Sequence, residues 1–115
     1  MAELKLLIHV AHKERWMVGA KNAVNFLRTA GEGDTLQVRI IANADSVTQC
    51  IKCDRPLFDN LKQLILDGGE IYLCANSLRD FDIKESRLPE IFRTVPAAVR
   101  AIADWQSEGW LYMRA

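Results

Sequence analysis

The chain reads as an α/β domain, a five-stranded, mainly parallel sheet covered by helices. Three observations predict this. Short β-rich apolar segments alternate with segments whose apolar residues recur at three- and four-residue spacing. The strand-like segments are apolar almost throughout, as strands covered on both faces must be. The length, 115 residues, suits one domain spanning 1–115 and leaves no room for two.

The elements follow in order. Leu4 to Val10 is nearly all apolar and reads as a buried strand. From about Glu14 to Thr29, the residues Trp16, Ala20, Ala23, Val24 and Leu27 share one helical face, and Gly31 suits the stop. Thr35 to Ala42 is β-rich through Val38, Ile40 and Ile41. Asn43-Ala44-Asp45-Ser46 turns the chain into a short helix running toward Cys50. Pro56 fits the first turn of the next helix, which carries Leu57, Phe58, Leu61, Leu64 and Ile65 and ends at Gly68-Gly69. Glu70 to Cys74 is the third strand, and Ala75-Asn76-Ser77-Leu78 opens a helix directly after it. Residues 79–91 are polar and irregular, a connection long enough to suggest function or assembly. Ile91 to Val95 reads as a fourth strand. A helix from Pro96 to about Ser107 turns Val99, Ile102 and Trp105 inward and Arg100, Asp104 and Glu108 to solvent. Gly109 releases the chain into a last strand, Trp110 to Met113.

Composition narrows the function classes. Half the residues are hydrophobic, 26% are charged and the formal net charge is zero. Without a basic excess or run, nucleic acid is not an expected partner. The first residues lack the form of a secretory signal, and no apolar run approaches membrane-spanning length. A cytoplasmic protein with no membrane partner is therefore expected, and its three cysteines are expected to be free thiols.

In a parallel sheet, ligands meet the carboxyl ends of the strands. His9, His12 and Lys13 fall there after the first strand, Asn43 after the second, Cys74, Asn76 and Ser77 after the third, and Pro96 after the fourth. Cys74 is the one strong nucleophile of that set. A thiol facing the free amides of a helix start is favoured as thiolate. The alternative is a buried cysteine packing as a small apolar group. His9 and His12, the two histidines of the chain, could assist proton transfer. Equally, His9 could be a satisfied core imidazole and His12 an exposed loop residue. Cys50-Ile51-Lys52-Cys53 has the C-x-x-C spacing of a redox pair or half a zinc site. It does not follow a strand directly, and no second ligand pair accompanies it, so two ordinary thiols and no metal are expected. No G-x-G-x-x-G, P-loop or G-x-S-x-G occurs, and no cofactor is expected.

Several segments together resemble the DsrE/DsrF-like family of small sulfur-handling proteins, and its uncharacterised branch above all. They are Leu6-Leu7-Ile8-His9-Val10, Asn22-Ala23-Val24-Asn25-Phe26-Leu27, Val38-Arg39-Ile40-Ile41-Ala42-Asn43, and Gly69 through Leu78 with its Cys-x-Asn-Ser-Leu core. Val95-Pro96 and Gln106-Ser107-Glu108-Gly109-Trp110-Leu111-Tyr112-Met113 complete the match. Where many relatives have Pro-x-Gly-Val, this chain has Pro96-Ala97-Ala98-Val99. The resemblance implies a three-layer α/β/α fold and homo-oligomers, commonly trimers or hexamers. It also implies a cysteine, matching Cys74, that accepts sulfur as a persulfide in a relay between donor and acceptor proteins. Asn43, Asn76, Ser77 and Pro96 would line the ligand cleft. A non-catalytic oligomeric module, binding a small ligand or protein in a cleft that Cys74 merely lines, is the other reading. The oligomer is further suggested by Trp16, Trp105 and Trp110 and by Phe81, Ile83, Leu88, Ile91 and Phe92, more large apolar groups than a small monomer easily covers.

Overall fold

The structure, a computed structural model, describes residues 1–115. Five parallel strands form one sheet in the order β4-β3-β2-β1-β5. The strands are β1 (Glu3–Val10), β2 (Thr35–Ala42), β3 (Glu70–Cys74), β4 (Arg93–Val95) and β5 (Leu111–Arg114). The helices are α1 (Trp16–Arg28), α2 (Arg55–Leu66), α3 (Ala75–Asp80) and α4 (Ala98–Ser107). The expected strand–helix alternation and five-stranded sheet are present. Expected boundaries shift by a residue or two. The turn into α1, Lys13–Arg15, is 3-10, as is the segment Ala44–Gln49 that was expected to be a short helix.

The chain steps from β1 through β2 and β3 to β4 in one direction, then returns across the sheet to place β5 beside β1. Right-handed crossovers therefore put the early helices on one face and α4 on the other. The first face holds the larger core. Ile8, Val10, Val38, Ile40, Ile71 and Leu73 of the sheet pack there with Trp16, Ala20, Ala23 and Val24 of α1 and Leu57, Leu61 and Leu64 of α2. The second core is small: Leu7, Ile41 and Cys74 lie beneath Ala98 and Ala101 of α4, with Trp110 closing one side. The first half of β1 is less covered: Leu4, on the α1–α2 face with Leu6 and Ile8, is exposed, so full burial of that strand is confined to Leu7–Val10.

Two expectations are corrected. Val99 was expected to point inward but is 76% exposed; Ala98 and Ala101 are the buried residues of α4. Most of the apolar groups cited for an oligomer are covered within the chain, Trp16, Trp110 and Phe92 being buried. Trp16 donates its indole N–H to Ser46 O at 2.8 Å, which is what a buried tryptophan needs. Of the groups cited, Phe81 stays exposed, and the other exposed apolar side chains include Leu66, Val99, Leu111 and Tyr112. No helix is long and apolar enough to cross a membrane.

A thiolate seat between two helix starts

The connection leaving β3 goes to the first face through α3, whose Leu78 joins the larger core. The connection leaving β4 goes to the opposite face through α4. Adjacent parallel strands whose connections diverge in this way leave a crevice at their carboxyl ends, the usual ligand position in open α/β sheets. Cys74, the last residue of β3, pairs with Val95, the last of β4, and so stands at that crevice.

Cys74 is only 5% exposed, but its surroundings are not uniformly apolar. The Ala98 amide, at the first residue of α4, donates to Cys74 Sγ at 3.3 Å. The Asn76 and Ser77 amides, in the first turn of α3, and the Ser77 hydroxyl lie near enough to favour its anion, but the Ala98 amide alone meets hydrogen-bond geometry. Burial is the largest single influence on the thiol and pushes its pKa up. The Ala98 bond and the polar groups of Ser77 and Asn76 beside it together outweigh burial, and the thiol lies below its ordinary 9.0. The Ser77 hydroxyl is itself held in place, its oxygen accepting the Ala44 N–H at 2.9 Å. Ala44 adopts a left-handed φ of 54° to place that N–H, a strained choice for a residue with a Cβ.

The other expected site residues divide. His9 is mostly buried. With its proton on Nε2 it donates to Asn43 Oδ1 at 2.8 Å and accepts the Tyr112 hydroxyl at Nδ1 at 2.5 Å. Asn43 is itself fixed because Ser46 Oγ bonds both Asn43 O and Val10 O, at 2.6 and 2.7 Å. His12 is exposed beside Arg114 Nη2 at 3.3 Å. Neither histidine hydrogen-bonds Cys74. The Asn76 side chain accepts from Arg79, so its contribution at the sulfur is its backbone amide. Pro96 lines a groove of about 440 Å³ with Val95, Ala97, Ala101 and Trp105, rimmed by Arg100 and Asp104. A second groove, about 740 Å³, runs over Ala75, Leu78, Arg79 and residues 82–85. Cys74 abuts both through its neighbours and lines neither.

Two members of the site carry no sequence signal. Ala98 acts through its backbone, and Tyr112 reaches His9 because β5 lies beside β1 with Tyr112 opposite Leu7. Cys50 is fully buried and Cys53 half-buried, both as free thiols. Burial raises the pKa of each, and mutual charge adds to that at Cys50. No three His, Cys, Asp or Glu side chains gather where they could hold a metal ion.

The DsrE/DsrF-like family model matches residues 12–114. No curated protein matches the chain. Among solved structures, the protein of unknown function MTH1491 from Methanobacterium thermoautotrophicum superposes with a TM-score of 0.84 at 20% identity, covering 97% of this chain and 99% of that one. The ychN protein from E. coli gives 0.75 at 16% identity, over 96% and 99%. The protein of unknown function BT1422 from Bacteroides thetaiotaomicron gives 0.65 at 14%, over 95% and 94%. At these identities the likeness is one of fold.

Proposed function

This chain belongs to the DsrE/DsrF-like family, and from that membership and the seat of Cys74 we propose that it is an oligomeric sulfur carrier. The observation that carries the reading is a nucleophile at the divergence of two strand connections whose sulfur accepts the Ala98 N–H, with its pKa held below the ordinary value. The Cys74 thiolate attacks the terminal sulfur of a donor persulfide, R–S–SH. An S–S bond forms to Cys74, the donor's S–S bond breaks, and R–S⁻ leaves. The sulfane sulfur keeps its oxidation level, so no oxidant is needed. An acceptor thiolate then attacks the Cys74 persulfide and regenerates the thiolate. Asn76, Ser77 and Ala98 stabilise the anionic sulfur at both stages, His9 and His12 at the same end of the sheet assist proton transfer, and Asn43 borders the cleft. The Pro96 groove receives the donor or acceptor.

The test is sulfur uptake. Wild-type protein mixed with a small persulfide donor is expected to gain one sulfur on the Cys74 peptide by mass spectrometry, and Cys74→Ser none. Equal uptake by Cys74→Ser, or none by wild type, would end this reading. The small exposure of Cys74 favours one other: a binding module whose cleft happens to contain the thiol. That protein would bind its ligand nearly as well after Cys74→Ser.

A further inference from the structure

α4 bears the amide that donates to Cys74, yet it is poorly rooted in the core. Its fully buried side chains are Ala98 and Ala101, and small side chains bury little apolar area. Its main large contact with the sheet is at the other end. Trp105 stands edge-on to Tyr72, with ring centroids 4.9 Å apart, and faces the Arg39 guanidinium at 4.6 Å. Arg39 rises from β2 on the α4 side of the sheet. Its guanidinium also lies 4.2 Å from the Trp110 ring centroid, and its Nε pairs with Glu70 Oε1 at 3.1 Å. The second oxygen of Glu70 is held by Arg93 Nη1, also at 3.1 Å. Trp110 is in turn tied to the end of α4, its N–H donating to Trp105 O at 3.0 Å. Arg39 is thus a planar cation stacked between the last turn of α4 and the lead into β5, anchored to β3 through Glu70. A lysine ammonium cannot supply both a stacking plane and a directed Nε–H.

We propose that Arg39 is a positioning residue for the Cys74 thiolate, its stack with Trp105 and Trp110 holding α4 so that the Ala98 amide points at the sulfur. The proposal rests on the reading of Cys74 as the working thiol. Ala98 and Trp105 lie on one rigid helix, about 10 Å apart along its axis. A shift at Trp105 therefore moves the Ala98 N–H, and hydrogen bonds weaken steeply with misalignment. The other tether at that end is Lys5 Nζ, bonded to Glu108 O at 2.7 Å on the exposed surface.

The charged and titratable groups around the sulfur do not offer a direct route. His9 on β1, Arg39 on β2, Glu70 and Tyr72 on β3 and Arg93 on β4 occupy the same sheet face, and none hydrogen-bonds Cys74. Arg79 and Asp80 on α3 and Arg100 on α4 are exposed, and Asp104 on α4 is half-exposed. An effect of Arg39 on the thiol is therefore expected to run through α4.

The experiment is the pH dependence of Cys74 alkylation, resolved by peptide mass spectrometry, with melting temperatures recorded in parallel. Arg39→Lys and Trp105→Leu are expected to move the midpoint upward, leaving about three- to tenfold less thiolate at any pH below it, as the weakening of one charge-assisted bond implies. Trp105→Phe keeps a ring face and is expected to restore the wild-type midpoint. Gln106→Ala, exposed on the same helix and outside the groove, is expected to leave it unchanged. Wild-type midpoints in both Arg39→Lys and Trp105→Leu, whatever their melting temperatures, would overturn the proposal. So would an equal shift in Gln106→Ala. No sulfur donor enters this assay, so a failure of sulfur uptake sinks the carrier reading while the midpoints decide the role of Arg39 separately.

Discussion

The Ala98 amide donates to Cys74, and the Ser77 hydroxyl and the Asn76 and Ser77 amides lie beside it, so each is a test of how the thiolate is held. Ser77→Ala removes the hydroxyl and leaves the backbone amides in place. It is expected to raise the alkylation midpoint of Cys74, with about three- to tenfold less thiolate near neutral pH. An unchanged midpoint would show that the amides alone set the thiol. The same residue links acidity to stability. In the fold Cys74 ionises below 9.0, its value when the chain is unfolded. Between those two values the unfolded chain binds the extra proton, so stability rises with pH across that window and is lost as pH falls through the folded value. Cys50 and Cys53 work oppositely, because burial raises both. Above 9.0 their unfolded forms lose protons first and stability falls. Urea denaturation series are expected to show Cys74→Ser without the rise below pH 9.0 but with the fall above it. A rise retained in Cys74→Ser would assign it to another group. Cys74, Asn76 and Ser77 were legible because strand, thiol and helix start are contiguous in sequence. Ala98 and Tyr112 were not, since one acts through its backbone and the other through a strand pairing more than a hundred residues apart.

The helices show why periodicity placed two faces well and a third only in part. In α1 and α2 the buried residues Ala20, Ala23, Val24, Leu57, Leu61 and Leu64 are those the spacing names, because both helices lie on the broad core. In α4 the spacing offered Val99, Ile102 and Trp105; Ile102 and Trp105 do pack on the second core, but the helix start closes onto the sheet beside Cys74. Only small side chains fit there, so the helix turns Ala98 and Ala101 inward and leaves Val99 in solvent. Ala98→Val is accordingly expected to cost about 1–3 kcal/mol by overpacking, read by denaturation. It should also raise the Cys74 midpoint by pushing the amide off the sulfur. Local signals at α2 are independent of this. Asp54 caps it, its Oδ1 accepting the Leu57 N–H at 2.9 Å. Asp54→Ala is expected to cost about 1 kcal/mol. At the other end Gly69 has no room for a side chain: an added Cβ would lie 2.5 Å from Leu64 Cδ1 and 3.2 Å from Leu64 O.

Across the molecule the two faces of the sheet are unequal. The α1–α2 face carries most of the core, while the opposite face has α4 alone and keeps polar strand residues such as Lys5 and Gln37 near solvent. Apolar groups are exposed on that side and at the adjoining edge: Val99 at 76%, Leu111 at 55% and Tyr112 at 41%. Such side chains support the proposed assembly, in place of the tryptophans that the chain covers itself. Sedimentation is expected to give a multiple of the 13.0 kDa chain mass, three or six copies, and Val99→Glu with Leu111→Glu to reduce it. A single-chain mass for the wild type at micromolar concentration would remove the oligomer from the proposal.

Strand and helix order, the parallel sheet and the thiol at a strand end were readable along the chain, because each depends on local periodicity or on neighbouring residues. Which amides surround that thiol, which face of α4 is buried and what Arg39 stacks against were settled only in three dimensions. All three follow from the return of the chain across the sheet from β4 to β5. That return sends α4 to the opposite face, sets its first amide against Cys74 and brings Trp105, Trp110 and Arg39 together. Backbone donors and long-range stacking leave no spacing in a sequence, since the residues involved meet only after the sheet has closed.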